Sequence, residues 1–207
     1  MKAYMYVDGF NLYHRAIKGK GKDLKWLDLR TLATRLLPHD SIARIKYFTA
    51  RITGRHDPDQ PRRQQMYLKA LGTCPEVETY FGKFRNRKKR RPLITAIPGH
   101  PRIQEFHDTE EKGSDVNLAS HLVYDACMGC FEVAAVVSND TDLVEPIRIV
   151  TEHIKKVVIL LSPCDPHREL ATVASAKRQI HKRDIRKSQF PETIEHEGES
   201  IIKPDSW

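Results

Sequence analysis

The stretch that most narrows what this chain can fold into is Glu132 to Pro146, EVAAVVSNDTDLVEP. Val133 to Val137, all small or branched and apolar, run without alternation into Ser138, Asn139, Asp140, Thr141 and Asp142. Such an unbroken apolar run reads as a strand covered on both faces, as in parallel α/β sheets. The polar cluster then falls at the strand's carboxyl end, where open α/β sheets place their ligands. Two carboxylates two residues apart, among amide and hydroxyl groups, suit a hard cation. They equally suit a turn that caps the next helix. On this stretch alone both readings stand.

Further strands fit the same sheet. Ala3 to Val7 is a short apolar strand ending at Asp8, with a helix beginning near Asn11. Ile42 to Ala50, Val77 to Phe81 and the apolar Val157 to Leu161 (VVILL) read as strands. Gly19 to Lys22 and Arg51 to Gln60 read as loops. Asp28 to Leu37 is helical by pattern, with Leu29, Leu32, Ala33, Leu36 and Leu37 on one face and Pro38 as the stop. A second helix covers about Arg62 to Leu71. In a third, Val116, Leu118, Ala119, Leu122, Val123 and Ala126 recur at helical spacing behind Ser114 or Asp115 as N-cap. A helix also runs through Ile147 to Ile154, and the chain from His167 to Lys187 reads as a short helix, an extended piece and a basic helical turn. Strands alternating with helices predict an α/β fold with a central, mainly parallel sheet. The expected domain spans residues 1–187; the tail, 188–207, has Ile194, Ile201, Ile202 and Trp207 as its core candidates.

Charge points to a partner. Lys and Arg number 35 against 27 Asp and Glu, a formal +8, which favours a polyanion. Lys83 to Arg91, KFRNRKKRR, concentrates seven bases in nine residues. Read as a solvated loop without a balancing acid, the run repels itself, and a phosphate backbone would relieve it. Lys83, Arg85, Arg87, Lys88, Lys89, Arg90 and Arg91 are therefore the candidate nucleic-acid contacts, within a basic insertion or hairpin at 83–106. Phe84 either stacks on a base or packs locally. No apolar run approaches the ~18–20 residues of a spanning helix, and no signal h-region opens the chain, so no membrane partner is expected. Cys74, Cys127, Cys130 and Cys164 supply one C-x-x-C but no second pair at zinc-finger spacing, which favours reduced thiols and a cytoplasmic protein.

Acids now arrive from three segments: Asp8, Asp115, and Asp140 with Asp142. If the sheet sets these ends side by side, four carboxylates share one pocket and repel, raising some pKa values. A divalent cation removes that repulsion, and all-oxygen ligands suit Mg²⁺ or Mn²⁺ better than zinc. Such ions activate water and orient a phosphodiester. Asp8-Gly-Phe-Asn11 lacks the second aspartate of an Asp-x-Asp phosphatase motif.

Val7-Asp8-Gly9-Phe10-Asn11, Glu111-Lys112-Gly113-Ser114-Asp115-Val116 and Ser138-Asn139-Asp140-Thr141-Asp142 resemble the three signature blocks of NYN domains. These are PIN-like nucleases, and the similarity is greatest to the LabA-like branch, over residues 3 to 187. The resemblance implies a three-layer, PIN-like Rossmannoid sheet and metal-dependent cleavage of RNA. It implies metal-coordinating roles for Asp8, Asp115 and Asp140, with Asp142 a further acid of the pocket. Asn11 and Ser138 would hold ligands or substrate, and Lys112 would stand near the phosphate. The expectation is a Mg²⁺- or Mn²⁺-dependent endoribonuclease acting on RNA, with DNA and a homodimer left open. The alternative is a non-catalytic nucleic-acid-binding module on the same fold. A phosphohydrolase of small nucleotides ranks third.

Overall fold

The computed structural model describes residues 1–54, 57–95 and 97–207, without the side chain of Lys22. Arg55, His56 and Ala96, within the expected loop 51–60 and the insertion 83–106, lie outside the described residues. Seven strands form one sheet: β1 (Lys2–Asp8), β2 (Ser41–Ala50), β3 (Val77–Pro92), β4 (Ile103–Lys112), β5 (Val133–Val137), β6 (Val157–Ser162) and β7 (Ala176–Gln179). Their order is β4-β3-β2-β1-β5-β6-β7, parallel at every step except β3 against β4. All of β5 is buried, as a strand covered on both faces must be.

Alternation along β1 sorts the core into two halves. Ala3, Met5 and Val7 point to one face. There they meet α1 (Gly9–Leu12), α2 (Leu29–Leu36), α3 (Gln60–Gly72) and α7 (Lys182–Arg186), with Trp26 and Leu27 among the buried residues. Tyr6 points to the other face with Phe48 and Phe131, under α4 (Ser114–Cys127), α5 (Val144–Arg148) and α6 (Arg168–Val173). Helix, sheet and helix make three layers of a Rossmann-like α/β fold. The β1–β2 connection lies on one side of β1 and β5 on the other, so the strand order switches between them. Val7 pairs with Val137, and Asp8 and Ser138 therefore leave the sheet side by side at that switch.

Several local expectations need correcting. Lys83 to Arg91 is not a solvated loop; of the forms expected at 83–106 it is the hairpin, the distal half of β3 paired residue for residue with β4 from Lys83↔Lys112 to Pro92↔Ile103. Nor does it lack balancing acid. Lys89 bonds Asp108 and lies 3.5 Å from Glu110, and Arg90 stands 3.9 Å from Glu105. The N-cap of α4 is neither Ser114 nor Asp115 but Gly113, at φ +103°. This turn must pass close to Gly82, where a Cβ would stand 2.8 Å from the Lys112 carbonyl oxygen. Glycine at 82 spares the turn that bulk, and glycine at 113 adopts the left-handed φ without a Cβ clash. The helices after Asp8 and Asp140 widen into π turns at Tyr13–Ile17 and Ile149–His153.

The tail docks. Thr193–His196 (β8) and Glu199–Ile202 (β9) form a hairpin whose Ile201 is buried. Trp207 packs edge-on against Trp26, and the Trp26 Nε1–H donates to the Pro191 carbonyl at 2.8 Å. Among the described residues no helix is long and apolar enough to cross a membrane.

Candidate functional site

Asp8 ends β1 and serves α1 as N-cap, its Oδ1 accepting the Asn11 backbone N–H at 2.9 Å. Its Oδ2 accepts from the Ser138 hydroxyl at 2.8 Å. Ser138 Oγ in turn accepts the Asp140 N–H at 3.1 Å. The carboxyl ends of β1 and β5 are thus bonded through one serine hydroxyl. Asn11 adds a second tie, its Oδ1 accepting the Asn139 N–H at 3.1 Å. Asn139 extends the network to the loop after β6: its Nδ2 donates to the Asp165 carbonyl and its Oδ1 accepts from His167 N–H.

Asp115 arrives differently. β4 runs back beside β3, turns at Gly113, and starts α4 so that Asp115 lies in its first turn. Glu111 steadies this entry, its Oε1 accepting from the Ser114 hydroxyl at 2.9 Å and the Ser114 N–H at 3.2 Å. The result is a cavity of about 390 Å³ lined by the acids Asp8, Glu111, Asp115 and Asp140, together with Asn11, Arg15 and aromatic side chains.

Asp8, Asp115 and Asp140 therefore share one cavity, with Asn11 in its wall and Ser138 directly beneath Asp8. Asp142 is not in the lining; it is exposed on the turn after Asp140 and reaches Asp115 only through its charge. Asp140, not Asp142, is the cap, accepting the Asp142 N–H at 3.1 Å. Lys112 turns away to Glu110, 2.6 Å distant. Glu111 was missed as a lining acid, although it stands within the block that carries Asp115. Phe10, His14 and Arg15 were missed too; the signal was helical spacing, His14 lying one turn after Phe10 and Arg15 one turn after Asn11.

Electrostatics mark the cavity as strained. Burial, then the charges of Asp8, Asp140, Glu111 and Asp142, push the Asp115 carboxyl up to about 6. Burial also raises Asp8, against the lowering effect of its bonds from Asn11 and Ser138. Neither Asp8, Asp115 nor Asp140 joins an ion pair among the described residues. The donor set is all oxygen, which suits Mg²⁺ or Mn²⁺. Among the described residues, no group of three or more His, Cys, Asp and Glu side chains is arranged to hold a metal ion as it stands. The donor chemistry fits such an ion; a closed coordination shell is not preformed.

Above the cavity, β3 and β4 form a two-stranded ribbon. Its Phe84 packs edge-on against Phe10, ring centroids 5.8 Å apart, a local packing of the kind expected as one of its two roles. Of the ribbon's bases, Lys83, Arg85, Lys88 and Arg91 form no ion pair among the described residues.

Comparison with known proteins finds a distant sequence relative and a structural neighbour. The chain is 27% identical, over a 241-residue alignment, to 6-hydroxy-3-succinoylpyridine 3-monooxygenase HspA of Pseudomonas putida, covering 100% of this chain and 75% of that protein. It superposes on the crystal structure of a protein of unknown function from Vibrio parahaemolyticus with a TM-score of 0.56. That match covers 86% of this chain and 92% of the other at 17% identity, and bears on the fold alone. No family model matches the sequence. The expected enzyme class, a metal-dependent ribonuclease hydrolysing phosphodiesters, is corrected here: the relative matched along the whole chain is named as a monooxygenase, an oxidoreductase and not a hydrolase.

Proposed function

We propose that this chain is a nucleic-acid-binding module, in line with its NYN-like blocks, in which Asp8, Asp115 and Asp140 recruit Mg²⁺ or Mn²⁺ beneath a basic ribbon. The observation that carries this is a cavity whose carboxylates Asp8, Asp115 and Asp140 join no ion pair among the described residues, with Asp115 pushed up to about 6 by burial and then by its acidic neighbours. A divalent ion would relieve that repulsion and present a positive charge to a phosphate. Asp8 oxygens each keep a lone pair beyond the bonds from Asn11 and Ser138, and Asp140 keeps Oδ2. Lys83, Arg85, Lys88 and Arg91 supply the polyanion contacts, and RNA is the partner the resemblance implies. Four free cysteines support a reducing, cytoplasmic setting.

The test is fluorescence anisotropy of a labelled single-stranded RNA across a salt series, with a matching DNA alongside. The combined Lys83→Glu, Arg85→Glu, Lys88→Glu and Arg91→Glu variant should weaken binding, and each lost phosphate contact should lower the slope of log affinity against log salt by about 0.7. Chelation of the divalent ion should weaken it further. An unchanged slope in that variant would remove the ribbon from the account.

A second reading is favoured by the relative's name and by a second cavity, walled by Phe10, Tyr13, Tyr47, Tyr67, Phe84 and Trp207, that shares Phe10 and Phe84 with the carboxylate cavity. It makes this chain an oxygenase of a small heteroaromatic acid. Dioxygen uptake with 6-hydroxy-3-succinoylpyridine and a two-electron donor tests it, with mass spectrometry of the product. Uptake coupled to a hydroxylated product would favour this reading over the first.

A further inference from the structure

Beside the carboxylate cavity lies a larger one of about 480 Å³, bounded by α1, the end of β2, the start of α3, the ribbon and Trp207. Phe10, His14 and Phe84 line both cavities, so the edge-on Phe10–Phe84 pair is the partition between them. Its other aromatic walls are Tyr13, Tyr47, Tyr67 and Trp207. Pockets of roughly 300–1,000 Å³ with such walls take planar ligands. Several polar groups here are already committed: Tyr67 donates to the Leu27 carbonyl at 2.8 Å, Gln64 bonds both Ile52 N–H and the Ala50 carbonyl, and Arg63 bonds Asp57. The Gln60 amide and the Tyr13 and Thr53 hydroxyls, also in the lining, make no hydrogen bond among the described residues. An amide and two hydroxyls facing aromatic walls match what the edge of a nucleobase requires.

We infer that this aromatic cavity seats the base of an unstacked nucleotide whose phosphate lies at the neighbouring carboxylate cavity, so that the ligand is single-stranded. The inference rests on the divalent-ion reading above, because only a cation there admits a phosphate beside Asp8, Asp115 and Asp140. Arg15, exposed on the wall of the carboxylate cavity, supplies a second positive group for that phosphate. A duplex keeps its bases stacked and out of reach of the cavity; an unpaired strand does not.

Calorimetric titration in excess Mg²⁺ compares uridine and adenosine 5′-monophosphates with ribose 5-phosphate, which keeps the phosphate and lacks the base. At least one nucleotide should bind about 10-fold or more tightly than ribose 5-phosphate, as base–aromatic stacking provides. Gln60→Trp, which fills the cavity from the first residue of α3, should erase that difference and leave ribose 5-phosphate binding as it was. If that variant does not fold, a 2-aminopurine-labelled single strand on the wild-type protein takes its place: a seated base changes its fluorescence. Equal affinity for nucleotides and ribose 5-phosphate overturns the base seat. If single-stranded RNA still binds in a Mg²⁺-dependent way, only the base seat has failed; if it does not, the reading beneath has failed as well.

Discussion

Asp115, alongside the raised Asp8, gives the site its pH dependence. Its folded value, about 6, lies above the ordinary 3.8, so the fold favours the protonated acid. Its contribution to stability is complete below about 3.8 and is lost as pH rises through about 6. A divalent ion reverses the sign, because its ligands must be ionised and affinity therefore rises through the same window. Melting temperatures with and without Mn²⁺ should diverge as pH climbs past about 6, and Asp115→Asn should flatten both curves. At the base of the site, Ser138→Ala would leave Asp8 short of a donor and the Asp140 N–H short of an acceptor. A cost of ~1–3 kcal/mol in urea denaturation is expected.

Among the elements, the ribbon and α4 hold most of what the sequence concealed. Seven bases in nine residues look like a loop because strand pairing cannot be seen locally. Glu105, Asp108 and Glu110, which make the strand tolerable, come from β4, after the turn that follows Pro92. Gly113 was passed over as a cap because Ser114 and Asp115 have the stronger capping preference, and its left-handed φ shows only in three dimensions. A buried bond network between β2 and α4 was equally hidden. Lys46 Nζ stands 2.6 Å from Asp125 Oδ2, which also accepts the Tyr6 hydroxyl at 2.7 Å. Both side chains are nearly sealed, at 8% and 6% exposure. Asp125→Ala would strand a buried ammonium and should cost ~3–5 kcal/mol in chemical denaturation, without moving cation affinity at the switch point.

Across the whole molecule, what was legible followed from apolar runs. Val133 to Val137 emerged as β5 with the bounds the run itself has, and the alternation of strands with helices was enough for the α/β sheet. The meeting of Asp8 with Asp140 was legible once both were placed at strand ends, since neighbouring parallel strands end together. Asp115 joined them through the β3–β4 ribbon, a path no local pattern discloses. Asp140 is both the turn's cap and a lining acid, while Asp142 stands exposed outside the pocket, because which of two nearby acids caps a turn depends on backbone angles. Strand order thus gathers the carboxylates, and the ribbon that delivers Asp115 also carries Lys83, Arg85, Lys88 and Arg91, which form no ion pair among the described residues.

Electron paramagnetic resonance of Mn²⁺ at pH 7.5 or above tests the carboxylate centre most directly. The account predicts at least one Mn²⁺ bound by the wild-type chain, and that signal lost when Asp8, Asp115 and Asp140 are all changed to Asn in a protein that stays folded. Equal Mn²⁺ binding by both proteins, or none by the wild type, would contradict it.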